Sequence, residues 1–330
     1  MALATPRDPA SVRLAVAGLG RIAEIQRDAL AAQTNFVWVG ACDPDSSRKA
    51  AVCPATVPFF TSLTECLAAT ACDAVLLSTP SETHFALAAE VLAAGRHLLL
   101  EKPAGVRPGE VATLHRQARA AGRQFQTAFH MSRSAEVDWL AAHLIELCGR
   151  KADLPLTGFE CRFHDFLWAD GALHPRAASV LGSWVDSGIN ALSVLARFFP
   201  AETLQVEETA FHRVPGLPVR DVAARVVLTG AGRRGTILTD WTKHNSDKTT
   251  VLYFADGRQW LLDHNAQTAT LTGPGGTTEH ACARHPDRMV DHYRGVFEDF
   301  AVSLATGESN AEASVTLHRL LMEAETAAGS

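Results

Sequence analysis

Apolar runs alternate with amphipathic stretches along the first 130 residues. The runs are short, continuous and rich in branched side chains, a pattern typical of strands that are buried on both faces of a sheet. Five such strands are predicted, in VRLAVAG, FVWVGACD, DAVLLSTP, HLLLEKP and RQFQTAFH, and three helices between them, at 21–33, 82–94 and 108–121. Right-handed crossovers between consecutive strands then give a doubly wound parallel sheet with helices on both faces.

The pattern changes after residue 130. A helix at 134–147 leads to an alternating, strand-like segment, FECRFHDFLW, and then to a short helix at 183–195. Six strands follow without helices between them, at 203–213, 221–229, 235–243, 249–254, 259–262 and 269–271, before two closing helices at 287–304 and 311–327. Because consecutive strands of this kind pair antiparallel, the sequence predicts an α/β domain at 1–130 and an α+β domain with an open, mainly antiparallel sheet at 131–330.

The composition argues against several classes of protein. The 330 residues are 47% hydrophobic and carry a net charge of −6, which disfavours a nucleic-acid-binding surface or a membrane-surface patch. No apolar run approaches the ~20 residues of a membrane span, and the first residues lack the pattern of a secretory signal. The seven cysteines form no CxxC pair, and no Cys or His cluster has metal-ligand spacing. We expect a cytoplasmic protein with reduced thiols and no metal.

A glycine-rich turn follows the first strand. VAGLGRIA places Gly18, Gly20 and Ala23 in a GxGxxA pattern between a predicted strand and a predicted helix. The first glycine allows a tight turn, the second lets backbone approach a pyrophosphate, and the alanine permits close packing of helix on strand. Asp43 ends the second strand, where its carboxylate can bind the adenosine ribose and repel a 2′-phosphate. The pattern predicts a dinucleotide site that favours NAD, and the nearby Arg48 leaves NADP open. The alternative is a glycine-rich turn in an α/β protein that binds another ligand.

Three segments together resemble the glucose–fructose oxidoreductase/inositol dehydrogenase (Gfo/Idh/MocA) family. GLGRIA, STPSETHFALAAEVLAAGRHLLLEKP and DSGINALSVL match its signature regions in order. The resemblance implies a Rossmann domain followed by an open-faced antiparallel sheet, and oxidation or reduction of sugars and polyols with a nicotinamide cofactor. With the glycine-rich turn, it gives the following cofactor-binding candidates: Gly18, Gly20, Arg21, Ile22, Asp43, Thr79, Pro80, His84, Glu101 and Lys102.

The third segment departs from the usual family signature. Asp186 and Gly188 are kept, but Asn190 stands where the family has its histidine and Ser193 where it has a second aspartate. On an α-helix Asp186, Asn190 and Ser193 would share one face. This version resembles the aldose 1-dehydrogenase branch, which includes D-galactose and L-arabinose dehydrogenases. A mechanism with a histidine base is therefore not expected here.

The predicted catalytic residues are Lys102 and Asp186. Oxidising a sugar hydroxyl requires a group that accepts its proton as hydride leaves for the nicotinamide. Lys102 ends a parallel strand, where ligands bind in this architecture, and Asp186 could pair with it, tune it or take the proton itself. Asn190 cannot exchange a proton near neutral pH, but its amide can orient a substrate hydroxyl. A hemiacetal is more acidic than an ordinary alcohol and would need a weaker base, which favours an aldose oxidised at C1 to an aldonolactone.

Other residues have both a functional and a structural interpretation. His130, at the end of the last Rossmann strand, and Trp168 and Trp241 are predicted to contact the sugar, although core packing is the commoner role of tryptophan. His84 and Glu101 could instead support the backbone. Asp186 could cap its helix, with Asn190 exposed to solvent.

Two further functions stay open. One is a sugar or polyol dehydrogenase, or a ketosugar reductase, acting at another carbon; the other is a regulator that binds dinucleotide without chemistry. The expected partners are a small sugar substrate and copies of the same chain, in a dimer or tetramer formed through the C-terminal sheet.

Overall fold

The chain forms two compact units in a computed structural model that describes residues 11–148, 155–169 and 171–328. The first unit contains the described residues up to Ala104, with Ala112–Ala128 and Tyr293–Ala311; the second contains Gly105–Val111, Phe129–His292 and the described residues from Glu312. The predicted boundary at 130/131 lies near the exit from the first unit after Ala128. Tyr293–Ala311, however, returns to the first unit, so neither unit is continuous in sequence.

The first unit is built on a six-stranded parallel sheet with the strand order β3-β2-β1-β4-β5-β6. Its strands are β1 (Val12–Ala17), β2 (Phe36–Cys42), β3 (Phe59–Phe60), β4 (Ala74–Leu77), β5 (His97–Glu101) and β6 (Phe125–Ala128). The helices along this part of the chain are α1 (Arg21–Leu30), α2 (Arg48–Val52), α3 (Leu63–Ala69), α4 (His84–Ala93) and α5 (Glu110–Ala120). The doubly wound prediction is confirmed, and the strand order reverses between β1 and β4, where such sheets bind ligands.

The continuous apolar strands are buried on both faces, as their pattern predicts. All four side chains of β4 and the three leucines of β5 are at most 1% exposed. The prediction missed α2, β3 and α3, because elements this short carry too few residues to show a period. Helix α4 begins at His84, two residues later than predicted, after a 3₁₀ turn at Ser81–Thr83.

The second unit is built on an eight-stranded sheet with the order β10-β11-β12-β7-β13-β14-β15-β16. Its strands are β7 (Leu156–His164), β10 (Gln205–His212), β11 (Ala223–Gly230), β12 (Arg233–Asp240), β13 (Asp247–Phe254), β14 (Gln259–Asp263), β15 (Thr268–Gly273) and β16 (Gly276–Ala281). All neighbours are antiparallel except β12 and β7, which are parallel. The mainly antiparallel sheet is therefore confirmed. The prediction missed β16, a mostly exposed edge strand whose polar sequence resembles a loop.

One face of this sheet packs against helices. Residues of α6 (Ala135–Cys148), α7 (Ile189–Leu195) and α9 (Ala311–Ala327) share one hydrophobic core with the sheet side chains Phe159, Phe163, Ile237, Leu252 and Trp260. The strand register places Glu160, Arg162, Leu238 and Val251 on the opposite face. Helix α8 (Arg288–Thr306) carries Tyr293 into the first unit.

Membrane-spanning helices, disulfides and metal-ligand clusters concern the described residues only. None of the helices in the described ranges combines the length and hydropathy needed to cross a membrane. Six cysteines are free thiols, and the side chain of the seventh, Cys148, lies outside the described residues. No group of three or more potential metal ligands occurs in the part of the chain that the structure describes.

Candidate active site

The turn between β1 and α1 needs its first glycine. Gly18 has a φ of +87°, and a Cβ there would lie 2.7 Å from the carbonyl carbon and oxygen of Ser78. Gly20 precedes α1, no side chain caps the helix start, and nothing lies within 4 Å of where its Cβ would be. Arg21 is exposed and Ile22 half-buried in the first turn of α1. An uncapped helix start beside open space suits a pyrophosphate.

The side chain of Asp43 is hydrogen-bonded to the backbone of this turn. Its Oδ2 accepts the backbone N–H of Leu19 at 2.7 Å, and its Oδ1 accepts that of Asp45 at 2.9 Å. Each carboxylate oxygen has a second lone pair, so the side chain can still accept hydrogen bonds from a ribose. Arg48 is exposed, and its Nε lies 3.7 Å from Oδ2 of Asp45.

The loop after β4 is connected to the segment after β5 through His84. The imidazole is buried, with Nδ1 at 2.8 Å from the carbonyl oxygen of Pro103 and Nε2 at 2.8 Å from that of Thr79. Both ring nitrogens are thus engaged with backbone, which agrees with the structural interpretation of His84. Thr79 is half-buried and Pro80 exposed, so the loop itself keeps accessible surface.

Glu101 is the last residue of β5, and Lys102 follows it in a different environment. Lys102 is half-buried and precedes a cis peptide bond to Pro103. Glu101 is buried and accepts hydrogen bonds from the hydroxyl of Tyr293 at 2.6 Å and from the backbone N–H of Lys102 at 3.1 Å. Burial raises the pKa of Glu101 to about 7, against these hydrogen bonds and the charge of Lys102, which lower it. These contacts fit the structural interpretation of Glu101, and its contact with the cofactor stays a prediction.

The DSGINALSVL segment is not one continuous α-helix. Trp184–Gly188 forms a π-helix, and α7 begins only at Ile189. The wider turn changes the spacing on which the shared face of Asp186, Asn190 and Ser193 was predicted. Asp186 is half-buried inside the π-helix, so it is not the helix cap.

Asn190 folds back onto its own helix. Its Nδ2 donates to the carbonyl oxygen of Asp186 at 3.2 Å, and Ser193 Oγ donates to the carbonyl oxygen of Asn190 at 2.7 Å. Asn190 is 8% exposed, so the alternative of a solvent-exposed amide is wrong. Its Oδ1 is buried and has no hydrogen-bond partner among the described residues. This acceptor is available for a donor from outside the helix.

Two contacts hold the π-helix in place. A Cβ on Gly188 would lie 2.5 Å from the indole of Trp184, which explains the glycine of the signature. Asp221 caps the helix start: its Oδ2 accepts from Ser183 Oγ at 2.5 Å and from the backbone N–H of Trp184 at 3.1 Å. Burial raises the pKa of Asp221 to about 6. Sequence reasoning missed Asp221, because it is distant along the chain from the helix that it caps.

The three remaining sugar-contact candidates differ in exposure. His130 is buried, and its ring stacks on His292 with 5.8 Å between centroids. Trp168 is half-buried in the hairpin of β8 (Trp168–Ala169) and β9 (Ala172–Leu173). Trp241 is 0% exposed, so it offers no open face for a sugar and packs as a core residue. His292 was not foreseen, and burial lowers its pKa to about 3, which keeps it neutral.

The family assignment comes from sequence comparison. Residues 12–129 match the model of the oxidoreductase family with an NAD-binding Rossmann fold (Gfo/Idh/MocA). Residues 12–129 therefore form the NAD(P)-binding Rossmann domain of this family. The chain is accordingly an NAD(P)-dependent oxidoreductase. Lys102 lies in the first unit of this oxidoreductase and Asp186 in the second.

One curated protein and two solved structures show what the chain is similar to. Galactose 1-dehydrogenase from Pseudomonas fluorescens is 29% identical over 224 residues, which cover 66% of this oxidoreductase and 66% of that relative, just under two thirds. The structure of D-galactose-1-dehydrogenase from Rhizobium etli matches with a TM-score of 0.76 and 23% identity, over 98% of this chain and 96% of that one. The 3-ketoreductase KijD10 from Actinomadura kijaniata, in complex with TDP-benzene and NADP, matches with a TM-score of 0.79 and 17% identity, over 96% and 98%. At these identities the two structural matches establish the fold.

Proposed function

We propose that the chain is an NAD-dependent aldose 1-dehydrogenase, which oxidises a cyclic aldose of the D-galactose or L-arabinose type to its aldonolactone. The observation that carries the proposal is the neutral Asn190 at the position where the commoner family signature has a histidine. Asp186 is then the only ionisable side chain of the DSGINALSVL segment. The similarity to galactose 1-dehydrogenase supports the same assignment.

The proposed chemistry separates hydride and proton. A nicotinamide cofactor held by the glycine-rich turn and Asp43 would supply the acceptor for the hydride that leaves C1 of the sugar. Lys102 Nζ receives the proton of the anomeric hydroxyl, and the C1–O bond becomes the carbonyl of the lactone. Asp186 is the second candidate for this proton. A sugar hydroxyl that donates to Asn190 Oδ1 would satisfy a buried acceptor that has no partner in the part of the chain that the structure describes.

The cofactor preference rests on Asp43. Its carboxylate borders the glycine-rich turn, can bind the ribose hydroxyls and would repel a 2′-phosphate. Arg48, the residue that left NADP open, pairs with Asp45 on the exposed start of α2. We therefore favour NAD.

The alternative is a sugar or polyol dehydrogenase, or a ketosugar reductase, acting at another carbon. The fold shared with a 3-ketoreductase is compatible with it, since the same scaffold supports different positions of attack. A dinucleotide-binding regulator without chemistry is less well supported, because such a protein needs neither Lys102 nor Asp186.

A substrate panel separates these functions. Purified protein is incubated with aldoses, polyols and ketosugars, each with NAD and NADP in the matching redox state, and the absorbance of the reduced nicotinamide is followed. We expect NAD reduction with aldoses such as D-galactose and L-arabinose, and aldonolactone or aldonate as product. Turnover confined to polyols or ketosugars would support the alternative, and binding without turnover would support the regulator.

We also propose that copies of the chain associate through the face of the second sheet that carries Glu160, Arg162, Leu238 and Val251. Leu238 and Val251 are half-buried on it, between charged side chains. A broad face of mixed apolar and charged groups suits a self-complementary interface. Size-exclusion chromatography with light scattering tests this, and a monomer at micromolar concentration would contradict it.

A further inference from the structure

A buried hydrogen-bond network in the first unit connects three segments that border the dinucleotide site. We call it the Glu101 network, and it consists of Glu101, Tyr293, Gln26 and Ser78. Glu101 Oε1 accepts from Tyr293 Oη at 2.6 Å and from Gln26 Nε2 at 2.8 Å. Gln26 Oε1 in turn accepts from Ser78 Oγ at 2.7 Å. The network therefore joins the helix after the glycine-rich turn, the loop after β4 and the end of β5.

Burying the polar side chains at the centre of the network costs desolvation free energy. Glu101, Gln26 and Tyr293 are at most 6% exposed. A buried carboxyl is tolerated only where donors satisfy its oxygens, and here two side chains supply donors to one oxygen while the other accepts the N–H of Lys102 at 3.1 Å. If Glu101 only filled space in the core, an apolar side chain would do so without the free energy of desolvating a carboxyl. A better explanation for these polar side chains is that they fix the backbone at Lys102.

We propose that Tyr293 and Gln26 are positioning residues for Lys102, acting through the carboxyl of Glu101. This inference rests on the proposed function of Lys102 as proton acceptor. Lys102 N–H donates to Glu101 Oε2, so the orientation of the carboxyl fixes the backbone from which the lysine side chain departs. Tyr293 reaches Glu101 from α8, 192 residues away in sequence. Gln26 also accepts a hydrogen bond from Ser78, and Gly18 packs against the backbone of Ser78. Gln26 therefore links Glu101 to the glycine-rich turn.

Tyr293→Phe is the most selective way to loosen the network. It removes one hydroxyl and keeps the ring that fills the core. Glu101 then loses a donor, and its carboxyl can rotate away from the N–H of Lys102. The chain offers a matched control, because its second tyrosine is Tyr253, which is 37% exposed on β13 in the other unit.

The first test needs no substrate. The full chain is labelled with ¹⁵N-lysine and saturated with NAD, and amide hydrogen exchange is followed at Lys102; the lysines are few enough to assign by substitution. We expect Tyr293→Phe to accelerate exchange at Lys102 about tenfold, the effect of one hydrogen bond lost from the network. The amides of Lys49 and Lys248 should keep their rates, and Tyr253→Phe should change none. Unchanged exchange at Lys102, or equal acceleration at all three lysines, would overturn the proposal.

The second test asks whether the positioning affects chemistry. With the best sugar from the panel, Tyr293→Phe should lower kcat about tenfold and shift the pH profile of kcat, while the Kd for NADH changes less than about threefold. Gln26→Leu should lower kcat as well, and the double variant should lose less than the product of the two single losses, because both act on Oε1 of Glu101. A loss expressed only in NADH affinity would contradict the proposal. If the wild type turns over no sugar, the proposed function fails, and the exchange experiment still decides the network.

Discussion

At the scale of single residues, the surroundings of a side chain decide its role more than its type does. Glu101 and Lys102 are neighbours in sequence at the end of β5, yet the first is buried and the second only half-buried. The motif predicts that both border the dinucleotide site. Only the structure separates the residue that supports the backbone from the one with accessible surface, because burial depends on distant residues such as Tyr293.

Lys102→Met tests the proton acceptor. The variant keeps a similar side-chain length but removes the amine, so kcat should fall by ~10²–10⁴-fold, the usual contribution of general acid–base catalysis. NADH binding, measured by fluorescence titration, should stay nearly intact. A loss of kcat under about tenfold would move the proton transfer to Asp186.

The buried carboxyl of Glu101 should also appear in the pH dependence of stability. Burial raises its pKa from 4.5 to about 7, so between these values the folded chain binds more protons than the unfolded chain. The contribution is therefore present at low pH and is lost as pH rises toward 7. Glu101→Gln removes this group, so its unfolding free energy relative to wild type should rise between about pH 4.5 and 7 in urea titrations. Asp221 titrates in both proteins and cancels in the difference. Parallel curves would show that Glu101 is not the buried acid described.

At the scale of elements, the π-helix is the part of the site that the sequence predicted least well. The segment was correctly expected to be helical, but the α-helical spacing was wrong over Trp184–Gly188. The local pattern of apolar and polar residues does not predict a π-helix. This π-helix depends on the hydrogen bond from Trp184 to the distant Asp221 and on the packing of the Trp184 ring against Gly188. The role of Asn190 in substrate binding stays a prediction, and its contact with its own helix backbone was not foreseen.

Gly188→Ala tests how tightly this element is packed. The added methyl would lie 2.5 Å from the Trp184 indole, so the helix or the ring must shift. Overpacking of this kind costs about 1–3 kcal/mol of unfolding free energy. Gly275→Ala is the matched control, because nothing lies within 4 Å of that position, and it should leave the urea midpoint nearly unchanged. Equal midpoints for the two variants would contradict the packing described.

Changes at Asn190 test whether the helix contributes to turnover. Asn190→Ala should leave a folded, NADH-binding protein whose kcat/KM for the sugar falls by one to two decades, the effect of a lost buried hydrogen bond of ~1–3 kcal/mol. Asn190→His should stay impaired on the same sugar, and its activity should acquire a pH dependence near the imidazole pKa of ~6.5. If both variants match wild type at one pH, Asn190 has no part in the reaction.

At the scale of the whole molecule, the sequence was most informative where structure is local and periodic. The apolar strands of the first unit and the glycine-rich turn predicted its architecture, because burial on both faces leaves a continuous apolar run. Features that depend on residues far apart in sequence could not be predicted in this way. The return of Tyr293–Ala311 to the first unit, the parallel pairing of β7 with β12 and the burial of Trp241 are of this kind.

The most direct test of the central claim follows the hydrogen at C1 of the sugar. D-Galactose or L-arabinose deuterated at C1 is incubated with the enzyme and NAD, and the reduced cofactor and the sugar product are analysed by mass spectrometry and NMR. Oxidation at C1 predicts deuterium in the reduced nicotinamide and an aldonolactone or aldonate that has lost it. A reduced cofactor without deuterium, formed together with a product that keeps the label at C1, would show that another carbon is oxidised and would contradict the account.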